Sequence, residues 1–386
     1  MADTHAVVIG GSLAGLCAAR VLADHVDQVT IVDRDACPQG AFERAGVAQG
    51  RHPHALLARG LREIEALFPG FEGSMRQRGA LAIDFGLAFA ALRPVGWQPR
   101  VASGFAAIFA SRLLLESVVR ELFDGLPNVT LRERTEVKGL HATRGNGALR
   151  IGGVHVRDRD GGALSTLAAD LVVDASGRTS KAPEWLGTLG LTPPPDTVVD
   201  AFMGYSTRWY RLPDPWPREW WWRGIWIDPV DPDRQHAGVL FPVEDGRGIV
   251  TVAGVSKHYP PADEAGFLAA LAGLRSPILA EAVALSEPVS DIYCHRAMAN
   301  RHRHYERWTA APAGFLAIGD AVSAFNPVYG QGMSVAAACA RILDETLTTN
   351  GPTSAELPCR FFAAQAPFVQ DVWGMATGAE IGRAHV

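Results

Sequence analysis

Residues 7–15, VVIGGSLAG, run from a short apolar stretch directly into a glycine turn. AVVIG (6–10) reads as a buried strand, AGLCAARVLADH (14–25) as a helix of small residues and QVTIVDR (28–34) as a second strand. Strand, turn, helix and strand within about 30 residues make a βαβ unit, the opening of a parallel sheet. In the turn Gly10 makes the tight bend, Gly11 continues it, and Gly15 lets helix and strand approach closely. The middle position lies nearest a bound diphosphate and must be small. It is Ser12 here, whose hydroxyl can itself donate to phosphate. The helix start at Leu13 and Ala14 adds amide donors and a favourable dipole. Asp33 closes the second strand 18 residues after Gly15, where a carboxylate binds ribose hydroxyls, and Arg34 follows it. Together these features predict nucleotide binding.

The 386 residues allow a sizeable core and two domains. Apolar residues are 48% and charged residues 20% of the chain, ordinary for a globular protein. A net charge of −5 without a basic run gives nothing for a nucleic-acid backbone to hold. Cys17, Cys37, Cys294, Cys339 and Cys359 are scattered, which supports neither a disulfide framework nor a zinc site. The N-terminus lacks a signal-peptide pattern, and no apolar run reaches the ~20 residues that span a bilayer. A cytoplasmic location is the expectation.

Further helices are expected at HALLARGLREIEALF (54–68) and SRLLLESVVRELF (111–123), and an antiparallel meander from Val129 to about Leu167. ADLVVDASG (169–177) returns to a buried strand. From Pro193 to about Arg301 the chain turns Pro- and Trp-rich, with strands at AGVLFPVE (237–244) and GIVTVAG (248–254). GFLAIGDA (314–321) is again a strand, leading through FNPVYGQG to the helix MSVAAACARILDETL (333–347). Nucleotide-type pieces thus recur at the start, middle and end. The predicted fold is α/β: a discontinuous Rossmann-like domain (1–75, 101–180 and 300–379) with an inserted, sheet-containing substrate domain (76–100 and 181–299).

Two later motifs carry chemistry. Asp174-Ala-Ser-Gly177-Arg178 closes a strand and can present amides to a phosphate. In GFLAIGDAVSAFNPVYGQGMS (314–334), Gly319-Asp320 ends a strand and Pro327 kinks the loop. Gly330-Gln331-Gly332 then delivers a helix N-terminus at Met333. An Asp there can bind a polyol, and the helix end can stabilise a negative ring system.

The three motifs in this order resemble the FAD-dependent monooxygenases of the para-hydroxybenzoate hydroxylase and squalene epoxidase type. The resemblance implies that GGSLAG with Asp33 holds the adenosine and diphosphate of FAD. It implies that DASGR touches the diphosphate, and that GDAVSAFNPVYGQGM holds the ribityl chain and lies under the flavin ring. Arg112 matches the family's helix arginine near the phosphates. Arg44 and the GRHPH stretch, including Arg51, stand where such enzymes place flavin-contacting residues. The details resemble the epoxidase and polyketide-tailoring branch of secondary metabolism. NAD(P)H is then the implied reductant, or else a partner reductase. Oxygen and an apolar small molecule are the implied co-substrates, with transfer through a C4a-hydroperoxyflavin. Halogenation is disfavoured, because flavin halogenases use a lysine after the second strand and the first lysine here is Lys138.

Other features receive plainer readings. WWWRGIW (220–226) reads as an apolar wall or sheet face, and His52 and His54 as surface or hydrogen-bonding residues rather than covalent flavin anchors. RHRHY (301–305) reads as a solvated or cofactor-edge segment, with no carboxylate suitably spaced to complete a metal site. The ending EIGRAHV (380–386) resembles a translated sequencing adapter, so the expectation is a non-native tail on a truncated chain. Membrane contact would then rest with C-terminal residues beyond it. No catalytic side chain is assigned. A flavin-dependent reductase of the geranylgeranyl reductase type, or an inactive FAD-binding fragment, are the alternatives.

Overall fold

The computed structural model describes residues 3–37, 40–145, 148–230, 234–296, 298–308 and 311–381. Its centre is a five-stranded parallel sheet in the order Phe315–Ala317, Leu171–Asp174, His5–Ile9, Gln28–Val32, Val129–Arg132. The Leu171–Asp174 strand is buried along its whole length, as expected of a parallel strand covered on both faces. The helices Leu13–Leu22 and Gly332–Asn350, both rich in buried alanine, pack beside one another.

The structure corrects two expectations here. Val129–Arg132 is not the first strand of a meander but the edge of the parallel sheet, paired with Gln28–Val32. The antiparallel sheet is built from Thr135–Gly145, Ala148–Asp158 and Ser165–Ala168. In 54–68 only Ala58–Leu67 is helical, because Ala55–Leu56 pairs with Ala106–Phe109 as a short strand. Leu81–Asp84 lies on the other side of Ala106–Phe109, so one sheet joins residues across the 100/101 division drawn from sequence. The helix Phe71–Gln77 spans the 75/76 division.

An eight-stranded sheet is made from Phe89–Arg93, Gly96–Trp97, Gly204–Arg211, Gly224–Ile227, His236–Val243, Arg247–Gly254, Glu287–Pro288 and Tyr293–His295. Alternation along its strands gives it two different faces. Ile225, Leu240, Val250 and Val252 point to the helices Glu264–Ala272 and Ile278–Ala284. Tyr205, Thr207, Phe241 and Trp226 occupy the opposite face. The Trp-rich stretch contributes to both, with Trp222 buried under the two helices and Trp226 beside Phe241.

The C-terminal helix Leu357–Ile381 takes in Glu380, whose carboxylate is buried between Asn300 and Asn326. The remainder of the EIGRAHV segment, 382–386, lies outside the described residues. Among the described residues no helix is long and apolar enough to cross a membrane.

One glycine decides how closely the first helix meets its strand. A Cβ on Gly15 would stand 1.8 Å from the Gly10 carbonyl oxygen, a backbone atom that cannot turn aside. Gly15→Ala is expected to cost more than about 2 kcal/mol, in the range of severe overpacking. Thermal unfolding checks this, and a variant as stable as the parent contradicts it.

Candidate active site

The glycine turn, the end of the second strand and the segment around Arg44 enclose one cavity, lined by Gly10, Ser12, Asp33, Arg34, Arg44 and Ala175. Asp33 is held there by backbone donors: the Gly11 amide donates to Oδ2 at 2.6 Å and the Asp35 amide to Oδ1 at 2.8 Å. Gly10 adopts φ +104°, and a Cβ on it would meet the Ala175 carbonyl oxygen at 2.7 Å. The first and central motifs therefore meet backbone to backbone, and the Ala175 amide donates back to the Ile9 carbonyl at 3.0 Å.

Ser12 is occupied by a residue the sequence reading missed. Its hydroxyl donates to Glu116 Oε2 at 3.0 Å and accepts from Arg112 Nη2 at 3.2 Å. Glu116 is only 4% exposed and is ringed by Arg44, Arg112 and Arg120. Burial pushes its pKa up, but Arg112, Arg44 and Arg120, with the Ser12 hydroxyl, hold it below the usual carboxylate range. The signal was present in the sequence: Arg112, Glu116 and Arg120 stand four apart, a charged stripe on one helix face. Removing one partner of a buried ion cluster costs about 3–5 kcal/mol.

The late loop packs on the same turn. A Cβ on Gly319 would lie 2.9 Å from that of Ala14, so the Gly-Asp turn sits against the start of the first helix. Burial raises the pKa of Asp320, while Arg178 and Arg112 oppose the rise. Pro327–Tyr329 forms a single 3-10 turn, Gly330 reverses the chain at φ +65°, and the long helix begins at Gly332 with Met333 buried behind it. Asp174 lies beneath the surface, its carboxylate accepting from the Ser176 amide at 2.9 Å and from the Ser176 and Ser180 hydroxyls. It braces the turn at Gly177. Arg178 then reaches from that turn to the carbonyls of Ala299 and Phe325.

Arg51 does not join this group. It is half exposed, forks onto Glu43 and covers the Tyr293 ring at 4.5 Å.

These residues fit a flavin dinucleotide. Gly10 and Gly15 clear space a side chain would fill, Asp33 suits a ribose, and Arg44 and Arg112 suit a diphosphate. Residues 3–350 match the family model described as FAD binding domain. The chain belongs to that family. It is an FAD-dependent oxidoreductase, and FAD is its cofactor. Protein Rv3254 of Mycobacterium tuberculosis is 33% identical over 394 aligned positions, covering 99% of this chain and 81% of the relative. Among solved structures, Pseudomonas aeruginosa PqsL in complex with 2-aminobenzoylacetate matches with TM-score 0.69 at 18% identity, covering 99% of this chain and 97% of that one. The tetrameric form of 2-methyl-3-hydroxypyridine-5-carboxylic acid oxygenase matches with TM-score 0.72 at 16% identity, covering 100% and 92%. The architecture is that of FAD-dependent monooxygenases.

Beside the flavin-type loops lies a second group of side chains. His52 Nδ1 is 2.9 Å from Thr207 Oγ1, which is 2.6 Å from Thr251 Oγ1. Tyr205 and His295 flank the His52 ring at 4.5 and 5.8 Å between centroids. Burial, with His295, His54 and Arg51 nearby, lowers the His52 pKa to about 3. His54 Nδ1 is 2.8 Å from the His52 carbonyl, and burial and Arg112 lower its pKa to about 4. Both rings are neutral near pH 7.

RHRHY is corrected on two counts. His302 and His304 are buried rather than solvated, and a carboxylate does complete the group, Glu306.

Two measurements follow from this geometry. Glu116→Ala is expected to lower stability by about 3–5 kcal/mol in urea unfolding, and a loss under about 1 kcal/mol contradicts the buried cluster. As pH falls from about 6.5 toward 3, the unfolded chain takes up a proton that native His52 refuses. Stability therefore falls with acidification, by up to about 1.4 kcal/mol per pH unit from this one group. His52→Gln is expected to flatten that slope; an unchanged slope from pH-stepped unfolding would contradict the assignment.

Proposed function

We propose that the chain is an FAD-dependent monooxygenase that places one oxygen atom on an apolar small molecule, by epoxidation or hydroxylation. One atom of O2 goes to the substrate, and the other leaves as water with two electrons and a proton from NAD(P)H and a second proton from solvent. FAD, when bound, supplies the relay of electrons from nicotinamide to oxygen. In this reading residues 1–75, 101–180 and 300–379 chiefly serve the cofactor, and 76–100 and 181–299, joined by His52 and Phe109, serve the substrate.

The residues do the binding, orienting and shielding. Asp33 takes the ribose, Arg44 and Arg112 the diphosphate, and Asp320 the ribityl hydroxyls. The helix starting at Gly332 opposes negative charge on the ring system. The apolar substrate is supported most directly by the aromatic cluster of Phe85, Phe89, Phe109, Phe241 and Trp226, in which Phe85 and Trp226 are only partly buried. The cluster packs against Ala55. Five residues on, a Cβ on Gly60 would strike Ser334 Oγ at 2.6 Å, so the helix Ala58–Leu67, which follows Ala55, packs on the start of the Gly332 helix. Such an aromatic cluster keeps water from a reactive oxygen species. The polar break in it is the neutral His52–Thr207–Thr251 chain, suited to orient a substrate hydroxyl or carbonyl.

Purified protein is expected to carry one FAD per chain and to oxidise NADH or NADPH faster when a polyene or polyketide substrate is added. With isotopically labelled oxygen gas, the product should gain one labelled atom. Substrate reduction under argon without oxygen uptake would instead make the protein a reductase of the geranylgeranyl type. Bound FAD with no nicotinamide oxidation across the panel would leave an inactive FAD-binding chain. Phe241→Ala is expected to raise the share of electrons released as hydrogen peroxide, measured with catalase and an oxygen electrode.

A further inference from the structure

His302 is 2% exposed, yet neither of its ring nitrogens makes a hydrogen bond. A buried polar atom left unsatisfied costs about 1–3 kcal/mol and calls for an explanation such as an ion or a water. Its surroundings supply one.

The strand Asn300–Arg303 pairs with Asp196–Val199 on one side and Ser323–Ala324 on the other. His302 and His304, two residues apart, have ring centroids 4.3 Å apart and nearly perpendicular planes. The 3-10 turn Tyr305–Arg307 then folds Glu306 back beneath them. One donor atom from each of the three lies within 4.8 Å of the others. His304 Nδ1 is 2.8 Å from Glu306 Oε1, and His302 Nε2 is 3.7 Å from Glu306 Oε2, too far for a hydrogen bond. Tetrahedral ligands about 2.1 Å from zinc stand about 3.4 Å apart, between these two separations. His304 Nε2 lies 2.8 Å from Thr197 Oγ1, the kind of outer partner that fixes a ligating imidazole.

We propose that His302, His304 and Glu306 bind one divalent cation of the zinc type, with water as the fourth ligand. Two imidazoles and a carboxylate suit zinc, cobalt or nickel rather than calcium or magnesium, whose ligands are oxygens. Two cationic neighbours bear on the site. Arg303 is committed to the Ala321 and Arg178 carbonyls. Arg307 lies 3.6 Å from Glu306 Oε1 but is 64% exposed, so it can turn to solvent. A proton shared by His304 and Glu306 would satisfy those two and leave both His302 nitrogens orphaned; a metal ion would engage all three side chains, taking one of the two His302 nitrogens. The ion would tie the strand Asn300–Arg303 to the turn Tyr305–Arg307 that follows it. The Trp373 ring of the C-terminal helix lies 5.5 Å from His302. Nothing in this assignment depends on the monooxygenase reading.

The test uses tag-free, FAD-loaded protein, stripped with a chelator and titrated with Co2+ and then Zn2+. One equivalent of Co2+ should bind with the visible bands of four-coordinate cobalt, and Zn2+ should displace it. His302→Gln and Glu306→Gln should each weaken binding at least tenfold, the scale of losing a ligand or its support. Should either variant fold poorly by circular dichroism, anomalous scattering at the zinc edge from zinc-soaked wild-type crystals decides. A peak among the three side chains is expected. Substoichiometric binding, equal binding by His302→Gln, or a peak elsewhere overturns the proposal.

Discussion

Glu116 sets the arrangement on which the nucleotide end of the molecule depends. It is a carboxylate taken out of water, which is tolerable only because cations and a hydroxyl surround it. Its partners come from three places in the chain: Ser12 from the glycine turn, Arg44 from the loop after the second strand, and Arg112 and Arg120 from its own helix. The cluster therefore fixes the spacing of elements that no local propensity could align. It also gathers positive charge beside the start of the first helix, where amides already point outward. A dianionic ligand meets a region whose cations are held in position beforehand.

The inserted sheet obeys a different constraint. Its strands set one face against two covering helices and turn another, carrying aromatic and threonine side chains, the opposite way, and a period of two separates these faces strictly. Thus Leu240 serves the core and Phe241 the aromatic cluster. A one-residue slip would exchange them and bring Thr207 and Thr251 into the apolar layer. The direct pairing of these two threonines across neighbouring strands is what makes a polar strip beside His52.

The parallel core was legible because its signals are local. A glycine turn between two apolar runs, a carboxylate at a strand end and a small-residue helix each announce themselves within a few positions. Val129–Arg132 was misplaced because a short apolar run does not reveal whether its partner runs parallel. Ser12 could be judged acceptable from its size, but its actual partner lies 104 residues away. The same holds for Thr207 beside His52, 155 residues apart. Asp174 differs, since its partners Ser176 and Ser180 are local and its carboxylate turns inward to brace its own turn. Glu306 was overlooked for another reason. Spacing rules for helices and strands do not foresee a 3-10 turn that folds a side chain back under its own strand.

Arg178 and Arg303 stitch the central turn, the returning strand and the flavin-type loop together by donating to the carbonyls of Ala299, Phe325, Ala321 and Arg178 itself. None of these acceptors is a carboxylate. Mobile ions screen exposed charge pairs effectively but act weakly on short, buried bonds to neutral carbonyl dipoles. The seam between the two loops should therefore keep its shape in concentrated salt, under conditions where surface ion pairs such as Arg211 with Glu287 contribute nothing. Ionic strength would then tune how charged partners approach this enzyme without loosening that seam.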